Sequence, residues 1–283
     1  MKEIKDYYLF ANSNHTLILS KTFNLYKFCR HCICLSIYMM TSWPPNKLLI
    51  KRLSSVNSTN ETAINLLKNK KYFNWIIADQ QRDGRGRRGN IWSSPMGGLY
   101  ATTVISDAKL DYSHVSQLSI LSAVVAAKTI EDIIGKNKIK LKWPNDVFLD
   151  EKKLCGILLE SVYVEDKFYL IVGFGINVRY THDKNEAFFS YLQEVQKNVT
   201  VEECLNKLII NFNKMINIWN YGESFTYFKD YWLMLTRDHG RVIKAKKKNI
   251  IIEGVFENID DKGNLILRVG SKKEIINTGE IFS

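Results

Sequence analysis

The stretch GRGRRGNIWSSPMGGLY, running from Gly84 to Tyr100, sets glycines at 84, 86, 89, 97 and 98 among Arg85, Arg87 and Arg88, and then adds Trp92 and Ser93-Ser94-Pro95. Glycine lets a backbone approach a ligand with its N–H groups exposed, and arginine presents a planar, permanently charged fork that suits phosphate or carboxylate. The segment therefore reads as a loop built to close over an anion. Taken alone, GRGRRG also fits a basic surface turn or an RGG-like RNA-binding tail, because glycine-rich patterns are weak evidence by themselves.

Two later segments decide between these: Lys142-Trp143-Pro144-Asn145-Asp146 and Gly173-Phe174-Gly175-Ile176-Asn177-Val178. Together with the glycine-arginine stretch, in this order and at these spacings, they resemble the catalytic domain of biotin protein ligases. The resemblance runs from Leu49 to Asn220 and, more loosely, to the C-terminal end. It implies an α+β fold of the class II synthetase-like biotin/lipoate ligase type, a mixed β-sheet with helices, followed by a small SH3-like β-barrel. It also implies ATP-dependent activation of biotin to biotinyl-5′-adenylate and transfer to a lysine of a biotin carboxyl-carrier protein. In the family, residues matching Ser58, Thr59 and Asn60 contact biotin, and the glutamine matching Gln81 meets the ureido group. An amide suits that neutral group because it donates and accepts in one plane. Arg85, Gly86, Arg87, Lys153 and Gly156 are carried over as further biotin contacts, and Arg85, Arg87, Trp92, Asn145 and Asn177 as contacts to ATP or the adenylate.

The 283 residues suffice for one large domain and a small one, and a 46% apolar fraction permits a real core. Net charge is +11, but the lysines are scattered through helices and turns, so most of it reads as solvated surface. Five cysteines sit at 29, 32, 34, 155 and 204, without the second Cys or His pair that a zinc site would need. Cys155 and Cys204 fall in apolar patterns and read as small buried hydrophobes. Nothing requires an oxidising compartment, and the expected location is cytoplasmic.

Residues 1–45 read as an extension of unknown role, 46–236 as the catalytic domain and 237–283 as the barrel. Within the extension, Asn24 to Met40 is interrupted by Lys27, Arg30 and His31, well short of the roughly 20 apolar residues of a membrane span. No helix-turn-helix pair is legible there, so no specific DNA binding is expected. Leu48–Leu53 reads as a strand, and Ser58-Thr59-Asn60-Glu61 fits a capping box that opens a helix. Capping alone would account for Ser58. Leu99–Ile105 is β-like, Ser113–Ile134 is a core helix stopped by Gly135, and Leu154–Val164 pairs with Phe168–Val178 through Glu165-Asp166. Thr200-x-x-Glu203 opens a helix with an apolar stripe, and Ser224–Leu235 is a further helix. From Arg241 onward, short alternating runs separated by turns predict the barrel, down to a closing Gly279-Glu280.

Joining a carboxylate to a phosphate brings two anions together, so catalysis should rest on positioning and charge stabilisation. Arg85 and Arg87, with Lys153 at a strand mouth, supply the positive charge and form the expected clamp. Mg2+ is expected with the nucleotide phosphates, with no all-protein metal cage. Trp92 is read as a cover for the adenine or the lid itself. For the transfer step, in which a carrier lysine must lose a proton, Asp146 is the candidate carboxylate, its structural alternatives being a salt bridge to Lys142 or a turn cap. The arginines, like charges on a glycine-rich backbone with no fixed partner, predict a loop that orders around an anion. The rivals are a lipoate or octanoate ligase or transferase of the same fold, and a biotin-responsive repressor. Homodimerisation is compatible with all of these.

Overall fold

A computed structural model describes residues 6–12, 15–19, 48–135, 139–180, 188–247, 250–277 and 281–282, with side chains for those from Leu48 to Ile281. Cys29, Cys32 and Cys34, the stretch Asn24 to Met40, the Lys248-Asn249 turn and the closing Gly279-Glu280 lie outside the described residues. The chain divides into two compact units, one made of residues 1–110 and 158–175, the other of 111–157 and 176–283.

The first unit is a sheet with one helix against it. Its strands are β1 (Asp6–Asn12), β2 (His15–Leu19), β3 (Leu48–Leu53), β4 (Trp75–Ala78), β5 (Leu99–Ile105), most of β8 (Lys152–Val164) and most of β9 (Lys167–Ile176). They lie in the order β2-β1-β3-β4-β5-β9-β8. β3 and β4 run parallel, while β1–β3 and β4–β5 are antiparallel, which makes the sheet mixed as expected. The hairpin β1–β2 adds to β3, so part of the segment read as an extension takes a place in the sheet. Between β8 and β9 the chain reverses at Glu165 and Asp166, both with positive φ, as a tight hairpin turn requires.

Helix α1 (Thr59–Lys68) starts where Ser58 accepts a hydrogen bond from the Glu61 N–H, the capping half of the S-x-x-E signature. Ala63 and Leu67, four residues apart on one face, pack against Ile76, Val104, Tyr169 and Ile171. The helix N-terminus lies against the sheet, with Thr59 and Asn60 within hydrogen-bond distance of Thr102 in β5.

The second unit is built on helix α2 (Val115–Ile134), whose buried residues Leu118, Leu121, Val124, Val125 and Ile130 occupy several faces. A helix apolar on several sides needs neighbours all round. It finds them in α3 (Val201–Trp219) and α4 (Phe225–Leu235) and in the hairpin β6 (Ile139–Lys142) and β7 (Asp146–Leu149). Gly135 ends α2 at φ 84°, and Thr200 caps α3 by accepting from Glu203 N at 3.0 Å. Burial pushes the Cys204 thiol up to about 12, the behaviour of a core group. Strands β10 (Val242–Lys247), β11 (Ile250–Ile259), β12 (Leu265–Val269), β13 (Lys272–Ile276) and β14 (Ile281–Phe282) form a separate antiparallel sheet ordered β13-β12-β11-β10-β14. Trp232 of α4 packs on Phe256 of β11, with ring centroids 6.1 Å apart.

Candidate functional site

In the first unit a continuous chain of hydrogen bonds starts at the capped end of α1. The Gln81 carbonyl oxygen accepts from Thr59 N at 2.8 Å and from Thr59 Oγ1 at 3.0 Å. Its amide nitrogen donates to Ser94 Oγ at 2.8 Å, and Ser94 Oγ donates to the Trp92 carbonyl at 2.8 Å. Gln81 is thereby fixed in orientation, as recognition of a planar donor–acceptor group demands. Thr102 Oγ1 lies 2.8 Å from Thr59 Oγ1 and 2.7 Å from Asn60 Oδ1. Because Thr59 spends its proton on Gln81, the single Thr102 proton is shared between these two acceptors. Asn60, 2% exposed, donates from Nδ2 to the Leu158 carbonyl at 3.3 Å and to Glu160 Oε2 at 2.9 Å.

The glycine-arginine stretch is a small hairpin. Gly86 N donates to Asn90 O at 2.7 Å, Trp92 N donates to Gly84 O at 2.8 Å, and Arg85 bridges Ile91. Arg87 to Gly89 form a single turn in which Arg88 takes φ 55°. The expectation that these arginines lack a fixed partner is overturned: Arg85 Nη2 lies 3.2 Å from Glu160 Oε2, and Arg87 and Arg88 are engaged as well. Arg87 is half-buried at the tip of the hairpin.

The glycines of GFGINV have a steric reason. A Cβ on Gly173 would run into the Asn60 amide, and one on Gly175 would run into the Trp92 indole. Bare backbone at these two points of β9 lets Asn60 and Trp92 settle against the strand, and Trp92 is seated there. At Gly84 a Cβ would meet the Trp92 carbonyl and Ser94 Oγ, which ties the loop's first glycine to the same network.

The second unit holds the remaining residues. Trp143-Pro144 is a cis peptide at the β6–β7 turn, and Lys142 pairs with Asp146 in the ladder. Asn145 donates from Nδ2 to Ile157 O at 2.5 Å and accepts from Ile157 N through its backbone carbonyl at 3.0 Å, which ties the turn to β8. Opposite Asp146 in the β7–β8 ladder stands Gly156, so no side chain fills the space across from the carboxylate. A register shift between Val147 and Phe148 re-aims the ladder, and Lys153 Nζ reaches Asp146 Oδ1 at 2.8 Å. Of the structural alternatives weighed for Asp146, the salt bridge to Lys142 gives way to one with Lys153.

The Lys153 backbone is held from both sides, its N–H donating to Phe188 O at 2.9 Å and its carbonyl accepting from Ser190 N at 3.1 Å. Asn177, 2% exposed, donates from Nδ2 to Ser190 O at 3.1 Å and to Lys153 O at 3.3 Å. In this structure its amide fastens the segment that carries Lys153.

Nearby, Arg237 N donates to Leu141 O at 3.2 Å, its guanidinium lies 4.6 Å from the Phe148 ring centroid, and its Nε is 3.3 Å from Asp238 Oδ1. Burial, followed by the Arg237 charge, holds the Lys142 ammonium below the usual lysine range, while Asp238 and Asp146 pull the other way.

Ser58 to Asn60, Gln81, Arg85, Gly86, Arg87 and Trp92 thus lie in the first unit, and Asn145, Asp146, Lys153, Gly156 and Asn177 in the second. Sequence reasoning assigned no role to Thr102, Ser94, Glu160 or Arg237. Ser94 lies within the glycine-arginine motif, whereas Thr102, Glu160 and Arg237 sit in no pattern that marks them out, and only pairing across the fold brings them to these positions.

Residues 49–177 match the Biotin/lipoate A/B protein ligase family, and residues 238–283 match the Biotin protein ligase C terminal domain. A Paracoccus denitrificans protein described as Biotin--[acetyl-CoA-carboxylase] ligase is 32% identical over 243 residues, covering 81% of this chain and 98% of that protein. The Bifunctional ligase/repressor BirA of Bacillus subtilis is 28% identical over 80% of this chain and 71% of its own length. Among solved structures, the biotin protein ligase of Aquifex aeolicus in complex with biotin and ATP superposes with a TM-score of 0.70 at 28% identity, covering 82% of this chain and 97% of that one. With the oriented Gln81 amide, the glycine-arginine hairpin and the Lys153–Asp146 pair in place, these matches lead to one conclusion: the chain belongs to the biotin protein ligase family.

Proposed function

We propose that this protein activates biotin with ATP and transfers it to a lysine of a carboxyl-carrier protein of the kind found in acetyl-CoA carboxylase. In the first step a biotin carboxylate oxygen attacks the α-phosphorus of ATP, the bond to the leaving pyrophosphate breaks, and biotinyl-5′-adenylate forms. In the second, the neutral amine of the carrier lysine attacks the adenylate carbonyl, AMP leaves, and the amine proton passes to a base.

The observation that carries this reading is the hydrogen-bond chain that fixes Gln81 through Thr59 and Ser94 and continues through Thr102 and Asn60 to Glu160 and Arg85. A rigid amide suits the neutral ureido ring, and a guanidinium at the far end of the same chain suits the carboxylate. Ser58, Thr59, Asn60, Gly86, Arg87, Lys153 and Gly156 complete the biotin contacts in this reading. Lys153 stabilises the charge that develops at the carboxylate–phosphate junction, aided by Arg87. Asp146 holds Lys153 in line and is the carboxylate assigned to orient or receive the proton of the attacking amine. Trp92, Asn145 and Asn177, together with Arg85 and Arg87, are assigned to the nucleotide side. Mg2+ enters as part of the MgATP substrate. Among the described residues no group of three or more His, Cys, Asp or Glu side chains is placed to hold a metal ion.

Among the described residues no helix is long and apolar enough to cross a membrane, and Cys155 and Cys204 are free thiols. A cytoplasmic workplace beside the carrier is part of this reading. The deciding experiment is pyrophosphate release from ATP with biotin, lipoate or octanoate as the acid, followed by mass analysis of a carrier domain. Release with biotin alone and a carrier heavier by one biotinyl group support the proposal. Turnover with lipoate or octanoate instead of biotin would overturn it.

A further inference from the structure

We infer that Glu160 sets the affinity of Arg85 for anionic ligands by competing with them for the same guanidinium. The inference rests on the reading above that Arg85 receives the biotin carboxylate. Glu160 Oε2 accepts from two donors of different character, Asn60 Nδ2 at 2.9 Å and Arg85 Nη2 at 3.2 Å. Asn60 is 2% exposed, and its Oδ1 is engaged by Thr102 Oγ1, so its amide nitrogen is obliged to point at Glu160. The carboxylate is therefore held in place without any help from Arg85.

Arg85 rides instead on the glycine hairpin, and the side chains of the pair are 40% and 28% exposed. A half-solvated ion pair of this kind is weak, so a ligand anion can take the guanidinium over at small cost. Glu160 then acts as a fixed internal anion that Arg85 leaves when a carboxylate or phosphate arrives, and to which it returns on release. This makes Glu160 an affinity-setting residue that acts through Arg85 and need not touch the ligand.

Glu160→Gln separates its two roles, because a glutamine carbonyl still accepts from Asn60 while the charge that retains Arg85 is gone. Biotin and its neutral amide, biotinamide, are titrated calorimetrically against the parent protein, Glu160→Gln, Arg85→Ala and the double variant. The expected result is a gain in biotin affinity of about two- to five-fold in Glu160→Gln, the range of an exposed ion pair. Biotinamide serves as the neutral reference, and the gain is read as a rise in the ratio of biotin to biotinamide affinity. The gain disappears in the Arg85→Ala background, as a direct coupling requires.

A gain that persists without Arg85 would mean a general field effect and would overturn the inference. Glu160→Gln without a gain, with Arg85→Ala weakening biotin relative to biotinamide, would also overturn it while leaving Arg85 as the carboxylate's partner. If Arg85→Ala left the biotin-to-biotinamide ratio unchanged, the assignment of Arg85 to the carboxylate would fall, and the inference with it.

Discussion

Lys153 and Asp146 form an ion pair of 2.8 Å across the β7–β8 ladder, beside a register shift and opposite a glycine. The pair joins the residue assigned to the activation step with the one assigned to the transfer step, so substitutions at either should reach both. Lys153→Ala is expected to lower biotin-dependent exchange between pyrophosphate and ATP by about 100-fold or more, the usual scale for removing a group that stabilises developing charge. Unchanged exchange would make Lys153 a surface lysine. Asp146→Asn, which leaves Lys153 without its counter-ion, should slow the same exchange as well as transfer from preformed adenylate. A defect confined to transfer would show that Asp146 acts only on the carrier amine.

The hairpin at Gly84 to Trp92 offers a second test. Binding of a non-hydrolysable biotinyl-adenylate analogue is expected to slow hydrogen exchange across residues 84–92, because anions offset the mutual repulsion of the arginines. Arg87→Gly should let the adenylate escape or hydrolyse, so that nearby lysines on unrelated proteins become labelled while carrier biotinylation falls. Equal protection with and without the analogue would end the idea of a lid, and a variant that retains its adenylate like the parent would remove Arg87 from it.

Gly173→Ala tests the packing argument for the GFGINV motif. The added methyl meets the Asn60 amide, which is locked by Thr102 and Glu160 and has little room to move. Overpacking of this kind costs about 1–3 kcal/mol, so thermal unfolding should drop by several degrees and biotin affinity should fall with it. A variant with the parent's melting temperature and affinity would show that Asn60 can yield.

A chain beginning at Met40 should retain biotin transfer, because no residue of either cluster precedes Ser58. It also loses β1, which pairs with β3 from Asp6↔Lys51 to Leu9↔Leu48, and so bares the backbone edge of β3. Exposed edges invite pairing between chains, and light scattering should report more self-association than in the full chain. A shortened protein that folds but no longer transfers biotin would give the N-terminal hairpin a catalytic role.

Local chemistry was legible in the sequence wherever neighbours along the chain decide the structure. Ser58 and Thr200 cap their helices, Gly135 ends α2, and β3 and β5 have the limits that their apolar patterns predict. The three motifs marked the residues to carry over, because glycines, arginines and a proline at fixed spacings are local signals too. The tertiary structure alone decided which of these residues meet. Arg85 and Glu160 lie 75 positions apart, and Thr236 hydrogen-bonds to Leu141 from 95 positions away. Lys142 is closer to Asp146 in sequence, yet the register shift in the β7–β8 ladder gives the carboxylate to Lys153. The physical reason is common to all three: an ion pair or a shared acceptor depends on where folded strands bring side chains, and nothing in the spacing of residues along the chain encodes that distance.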